Sequence, residues 1–222
     1  MHKKWWVHLL WVLAAAVLGL LVSFVFAGLL QLPRRWFVAV YALVVSLFLY
    51  RYMRWNGVKL WTQVRQRWVW GLVGAGVAGA FVVSNVLSQP ASPTPQGLAL
   101  LFDLLWLGVV YGLLDALLLS VLPVYAVWQA FTALGWTDSW PKRLVVGGVA
   151  VVASLLVTVA YHWGYPEFRG GQVMAPVLGN GVISLAYLLT TNPLAALLSH
   201  AAMHMTAVLH GLNSAVQLPP HY

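Results

Sequence analysis

Apolar runs long enough to cross a bilayer follow one another along almost the whole chain: Trp5 to Leu30, Trp36 to Trp55, Trp68 to Leu87, Leu98 to Phe131, Leu144 to His162, Pro176 to Thr190 and Pro193 to Val216. A helix rising ~1.5 Å per residue needs about 20 apolar residues to cross a ~30 Å hydrocarbon core, so seven spans are the simplest count. Hydrophobic residues make up 62% of the 222 and charged ones 7%, and no water-soluble domain of this size has an interior large enough to hide that surface. The expected fold is all-α, a polytopic transmembrane helix bundle of about seven spans. Its organisation reads as three N-terminal helices with a basic link over 1–96 and a helical core over 97–222.

The fourth run is the ambiguous one. At ~1.5 Å per residue it measures about 50 Å, so it must tilt, kink at Pro123 or divide into two spans. Basic residues predict the orientation: Lys3 and Lys4 precede the first run, and Arg51, Arg54, Lys59, Arg65 and Arg67 join the second to the third. Both segments belong in the cytoplasm. Lys142 and Arg143 fit the same rule if the fourth run is one span, which leaves the C-terminus outside. The first run is longer than a signal-peptide core and lacks a clear A-x-A site, so it reads as a retained span.

The net charge of +8 does not imply nucleic acid, because the cations sit at the ends of apolar runs, where they set topology and meet anionic lipid. Trp5, Trp6, Trp36, Trp55, Trp61, Trp68, Trp70, Trp136 and Trp140 cluster at the same ends, as interfacial anchors do. Cysteine is absent, which removes disulfides, thiolate zinc sites and a cysteine nucleophile together.

Two motifs mislead. Gly74-Ala75-Gly76-Val77-Ala78-Gly79 spells G-x-G-x-x-G, but inside an apolar helix with no preceding strand it is not a dinucleotide fingerprint. With Gly71 and Ala80 it predicts a smooth face for close helix packing. His200-Ala201-Ala202-Met203-His204 sets two imidazoles one turn apart, yet alanine stands where H-E-x-x-H keeps its base, so a thermolysin-like mechanism is out. A divalent metal such as zinc, held by that pair with His162 or Asp115, stays open on ligand chemistry.

The chain has 4 acidic residues, Asp103, Asp115, Asp138 and Glu167. Ionisable groups within spans are expensive and face a bundle interior or an aqueous cavity, so Asp115, His162, His200 and His204 form one problem. Either they converge, or each finds a local partner. Locally, Asp115 would bond Tyr111 one turn back, His162 would cap its own helix, and His200 and His204 would bridge neighbouring helices.

The segments Gly112-Leu-Leu-Asp115-Ala-Leu-Leu-Leu-Ser120, Val157-Thr-Val-Ala-Tyr-His162-Trp-Gly-Tyr-Pro166 and Asn192-Pro-Leu-Ala-Ala-Leu-Leu-Ser-His200-Ala-Ala-Met-His204 follow in that order. This series resembles the CPBP family, the CAAX-prenyl-protease-related and bacteriocin-processing intramembrane proteases, over roughly residues 97 to 216. That family carries EExxxR on one helix, FxxxH ending the next, and HxxxN or HxxxD on the last. The resemblance implies a CPBP-like core in the C-terminal half and an intramembrane endopeptidase acting on a membrane-associated peptide or protein. It assigns water activation to Asp115, water holding to His162 and oxyanion stabilisation to His200 and His204, with no cofactor required.

The departures are specific. Asp115-Ala116 replace the paired glutamates, Ser120 the arginine, Thr158 the phenylalanine and His204 the final asparagine. Aspartate is one methylene shorter than glutamate, and a misplacement of about 1 Å can cost ~100-fold in rate. The lost arginine removes a fixed positive partner for the acid. The rival reading is therefore a non-proteolytic relative serving as an accessory or binding subunit of a larger membrane complex. Haem or pigment binding by His162, His200 and His204 is chemically open but has no attachment motif, and a transporter is disfavoured by the scarcity of charges and of internal repeats. One depth conflict remains: His162 falls near the external end of its span and His200 only eight residues into its own. They meet if Trp163 to Val173 dips back into the membrane beneath a covering of protein.

Overall fold

The computed structural model describes residues 4–218, so the opening Met1-His2-Lys3 of the charge argument lies outside the described residues. Eight helices carry the described residues: α1 (Trp5–Leu29), α2 (Arg34–Asn56), α3 (Leu60–Arg65), α4 (Trp68–Leu87), α5 (Leu98–Ala133), α6 (Trp140–Trp163), α7 (Met174–Thr190) and α8 (Leu194–Gly211). No strand occurs among the described residues. Six helices are long and apolar enough to cross a membrane: α1, α2, α4, α5, α6 and α7, the last counted with its preceding turn as Gly171–Thr190. That is the make-up of a multi-pass membrane protein, in which helices satisfy every backbone group internally.

The seventh expected span, Pro193 to Val216, is the shorter helix α8 of 18 residues. It stands outside the six because His200, His204 and His210 dilute its apolar character. The fold absorbs those polar groups by surrounding the helix: α8 packs against α4, α5 and α7, and buries Ser199, His200 and His204 along its length.

The ambiguous fourth run is one continuous helix of 36 residues. Its turns widen to π geometry over Leu104–Val110 and Ala116–Val121, on either side of the α-helical Tyr111–Asp115. Each wide turn holds an extra residue and re-aims the face that follows, an irregularity frequent at functional sites. Pro123 has no N–H to offer the carbonyl of Leu119. That carbonyl instead accepts Ser154 Oγ at 2.5 Å and Asn180 Nδ2 at 3.4 Å, from α6 and α7.

Small residues set the closest approaches. A methyl added at Gly74 would lie 2.8 Å from Thr190 Cγ2 and 3.0 Å from Ala195 Cβ, and one at Gly71 would meet Asn192 Oδ1 at 2.7 Å. The close-packing reading of this stretch therefore holds for Gly71, Gly74, Ala75, Ala78 and Gly79. It fails for Gly76 and Ala80, which face outward because a period of 3.6 carries them round the helix.

Packing joins the two sequence segments in one bundle. α1 lies against α6 and the later part of α5, while α4 lies along α8. Gly71, Gly74 and Gly79 meet Asn192, Ala195 and Ser199 in turn, so α4 and α8 run in the same direction. At the end of the bundle holding the basic link, Asn192 Nδ2 donates to the carbonyls of Gln63 and Val64 at 3.1 and 3.0 Å and to that of Gln66. At the other end, the Pro-rich link is tied to the end of α8 by His210 Nε2 donating to the Gln89 carbonyl at 2.9 Å and Ser92 N donating to the His210 carbonyl at 3.1 Å.

Two acidic residues are occupied away from the site. Asp103, 1% exposed, receives a bidentate pair from Arg35 at 2.8 and 2.9 Å. Asp138 lies on the surface between α5 and α6, where a hydrogen bond from Lys142 holds its carboxyl below the usual range.

Candidate functional site

Asp115, His162, His200 and His204 line one cavity of about 240 Å³ enclosed by α4, α5, α6, α7 and α8. Asp115 comes from the α-helical turns between the two wide stretches of α5, His162 from the last turn of α6, and His200 and His204 from successive turns of α8. His162 and His200 reach the same hollow despite their sequence depths. Beyond α6 the chain folds inward through two short 3₁₀ turns, burying Tyr165, Phe168 and Val173, and Phe168 itself lines the cavity.

The local alternative for Asp115 is replaced by a long-range one. Its Oδ1 accepts the hydroxyl of Tyr41 at 2.6 Å, from α2, and its Oδ2 faces His204 Nε2 at 3.5 Å. The carboxylate is 4% exposed, and ionised groups so placed need partners of this kind. His162 does bond its own helix, Nδ1 to the Thr158 carbonyl at 2.8 Å. A carbonyl only accepts, so Nδ1 carries the proton and the neutral ring keeps its lone pair on Nε2. His200 and His204 stack with ring centroids 6.2 Å apart.

The metal set left open by the sequence is not found as a cluster. Among the described residues no three His, Cys, Asp or Glu side chains are grouped to hold a metal ion. Tyr41 and His204 engage the Asp115 carboxylate, and His162 commits Nδ1 to Thr158, so the four side chains share a cavity without converging on one point.

Two polar assemblies beside the cavity were not anticipated. In the first, Asn180 of α7 accepts from Ser120 Oγ at 2.6 Å and donates to Thr158 Oγ1 at 2.6 Å and Ser154 Oγ at 2.9 Å. Ser154 and Ser184 share a further bond at 2.7 Å. Ser120 and Thr158 are thus joined through one amide. An amide in mid-span was the available signal.

In the second, Tyr165 donates to Tyr161 at 2.6 Å, and the Tyr161 and Tyr111 oxygens lie 2.7 Å apart. The Tyr111 ring meets that of His204 edge-on, with centroids 4.8 Å apart, and the Tyr41 ring stands edge-on to Tyr111 at 5.2 Å. Tyr161 and Tyr165 sit at a span end, where tyrosine is ordinary, whereas Tyr41 and Tyr111 lie within spans, and a hydroxyl there was the available signal.

The cavity reaches the outer face of the bundle between α4 and α7, where its wall includes Phe81 and Leu178, 48% and 62% exposed. Asn85, Val216 and Gln217 line it toward the end that carries the Pro-rich link. Comparison with family models, with curated proteins and with solved structures finds no match for this chain.

Proposed function

We propose that this chain is a CPBP-like integral membrane protein whose cavity hydrolyses a peptide bond in a membrane-associated peptide or protein. The observation that supports this most is that a carboxylate and three imidazoles from three helices line one shielded hollow. One water hydrogen would be held by Asp115 and the other by the His162 Nε2 lone pair, leaving a water lone pair for the substrate carbonyl carbon. As that C–O bond forms, the water proton passes to Asp115. The tetrahedral intermediate then expels the amine, breaking the C–N bond, and the proton on Asp115 goes to the leaving nitrogen. His204 Nε2 faces Asp115 at 3.5 Å while its Nδ1 has no protein partner, so His200 together with His204 would donate to the oxyanion.

Orientation belongs to the same reading. With the basic link in the cytoplasm, the N-terminus is cytoplasmic and the C-terminus external, and the cavity lies toward the external half. The lateral wall at Phe81 and Leu178 suits an apolar substrate arriving through the bilayer.

Purified protein in detergent should cleave a fluorogenic apolar peptide pool. Asp115→Asn and His200→Ala should each lower that rate by about 100-fold or more, with the protein still monodisperse. Unchanged cleavage would remove the site assignment.

One observation favours the accessory-subunit reading. Ser120, at the position of the family's arginine, is locked to Asn180, so no cation is supplied from that position. An accessory subunit should co-purify with a larger complex whether or not Asp115 is intact.

A further inference from the structure

A second hollow, of about 360 Å³, lies at the end of the bundle that carries the basic link and shares no wall with the first. Three aromatic rings, Tyr125, Trp128 and Tyr187, and three amides, Gln63, Gln66 and Gln129, set its character. Those walls hold hydrogen-bonding capacity that the protein leaves unused. Tyr187 is 5% exposed, and a phenol set so deeply ordinarily finds a partner. Its hydroxyl bonds none of the described residues and is not sealed inside the bundle, so the hollow is the space it faces. Neither the indole N–H of Trp128 nor the side-chain amide of Gln129 bonds any described residue.

The site is held in shape before anything binds. Asn192 pins the carbonyls of Gln63, Val64 and Gln66, and a site ordered in advance spares its ligand that cost. Charge then narrows the ligand. The six side chains named are uncharged, but Arg65 and Arg67 flank Gln66 in the chain, and Arg51, Arg54 and Lys59 belong to the same end. None of these cations forms an ion pair among the described residues. A concave site between helices at a basic membrane face suits the phosphate of a lipid head group. An indole N–H only donates, while amides and phenols both donate and accept. The remaining capacity is therefore matched by a head group that carries hydroxyls, and not by a trimethylammonium, which has neither donor nor acceptor to offer.

We propose that this hollow binds the head group of an anionic, hydroxyl-bearing phospholipid of the phosphatidylglycerol class, its phosphate toward Arg65 and Arg67 and its glycerol oxygens on Tyr187, Trp128 and Gln129. The site is separate from the Asp115 cavity, and the inference does not rest on the hydrolytic reading.

The experiment titrates the purified protein in a neutral detergent with dioleoylphosphatidylglycerol and, separately, with dioleoylphosphatidylcholine, and counts bound lipid by native mass spectrometry. Phosphatidylglycerol should bind about tenfold more tightly. Replacing Tyr187→Phe together with Gln129→Leu leaves every cation in place and should weaken phosphatidylglycerol by about tenfold, with Tyr187→Phe alone giving about threefold. Arg65→Gln with Arg67→Gln should also cost about tenfold.

Equal binding of the two lipids by the parent overturns the proposal. So does a phosphatidylglycerol affinity that falls with the arginine pair but not with Tyr187→Phe and Gln129→Leu, since the lipid would then be adhering to the basic face and not entering the hollow. A third arm offers the deacylated head group, glycerophosphoglycerol, as competitor. It should leave the bound lipid in place, and displacement as effective as that by the intact lipid would assign a free phosphodiester and overturn the lipid. Thermal melting in lipid-free detergent identifies a variant that has merely unfolded, in which case Tyr187→Phe alone decides.

Discussion

Asn180 joins more of the fold than any group singled out from the sequence. Its amide bonds Ser120, Ser154 and Thr158 and helps satisfy the carbonyl that Pro123 leaves open, linking α5, α6 and α7. Asn180→Leu keeps the volume and strands that set. Interhelical side-chain bonds in membranes contribute ~0.6 kcal/mol each on average, so a loss of about 2 kcal/mol is expected in a detergent-to-SDS unfolding titration. A midpoint equal to the parent's would contradict the network. Asp115 and the three histidines could be read from sequence because charge within a span is rare and costly. Tyr41 and Tyr111 offered a hydroxyl within a span, but its role depends on where it ends up, and pairing Asp115 with the residue one turn back missed a partner on α2.

Helices followed from apolar run length, and their limits were legible where proline, glycine or charge interrupts a run. The wide turns flanking Asp115 were not, since no residue type encodes a π turn and the geometry answers to packing against α8. That packing has little slack. A methyl at Gly112 would lie 2.9 Å from the Ala201 Cα and 3.1 Å from both the His200 carbonyl and His204 Cδ2. Gly112→Ala should therefore push α8 away, cost about 1–3 kcal/mol and misplace both imidazoles. Gly76, within the same deceptive motif, has nothing within 4 Å of a new Cβ, and Gly76→Ala should be neutral or gain up to about 1 kcal/mol of helix propensity. Paired melting curves in detergent would test the contrast, and equal losses would refute the packing argument.

At the level of the whole molecule, run length and charge gave the all-helical membrane class but not the neighbours of each helix. Between lipid-exposed helices apolarity does not choose partners; small residues and polar contacts do. Hence α4, from the first segment, came to line the cavity together with α5 to α8 from the second. Orientation is testable because the chain has 0 cysteines. Single replacements Ser92→Cys and Ser139→Cys in intact cells should divide: an impermeant maleimide should label the first directly and the second only after lysis. The reverse pattern would invert the assignment drawn from the basic links.

The exposed cavity wall at Phe81 and Leu178 would offer the hollow a second kind of visitor. A bilayer supplies fatty tails at concentrations no peptide approaches, so a cargo arriving through an exposed apolar wall would have to displace a lipid chain. Apparent affinity would then belong partly to the surrounding membrane, tightening or loosening with acyl length and saturation while every side chain stays as it is.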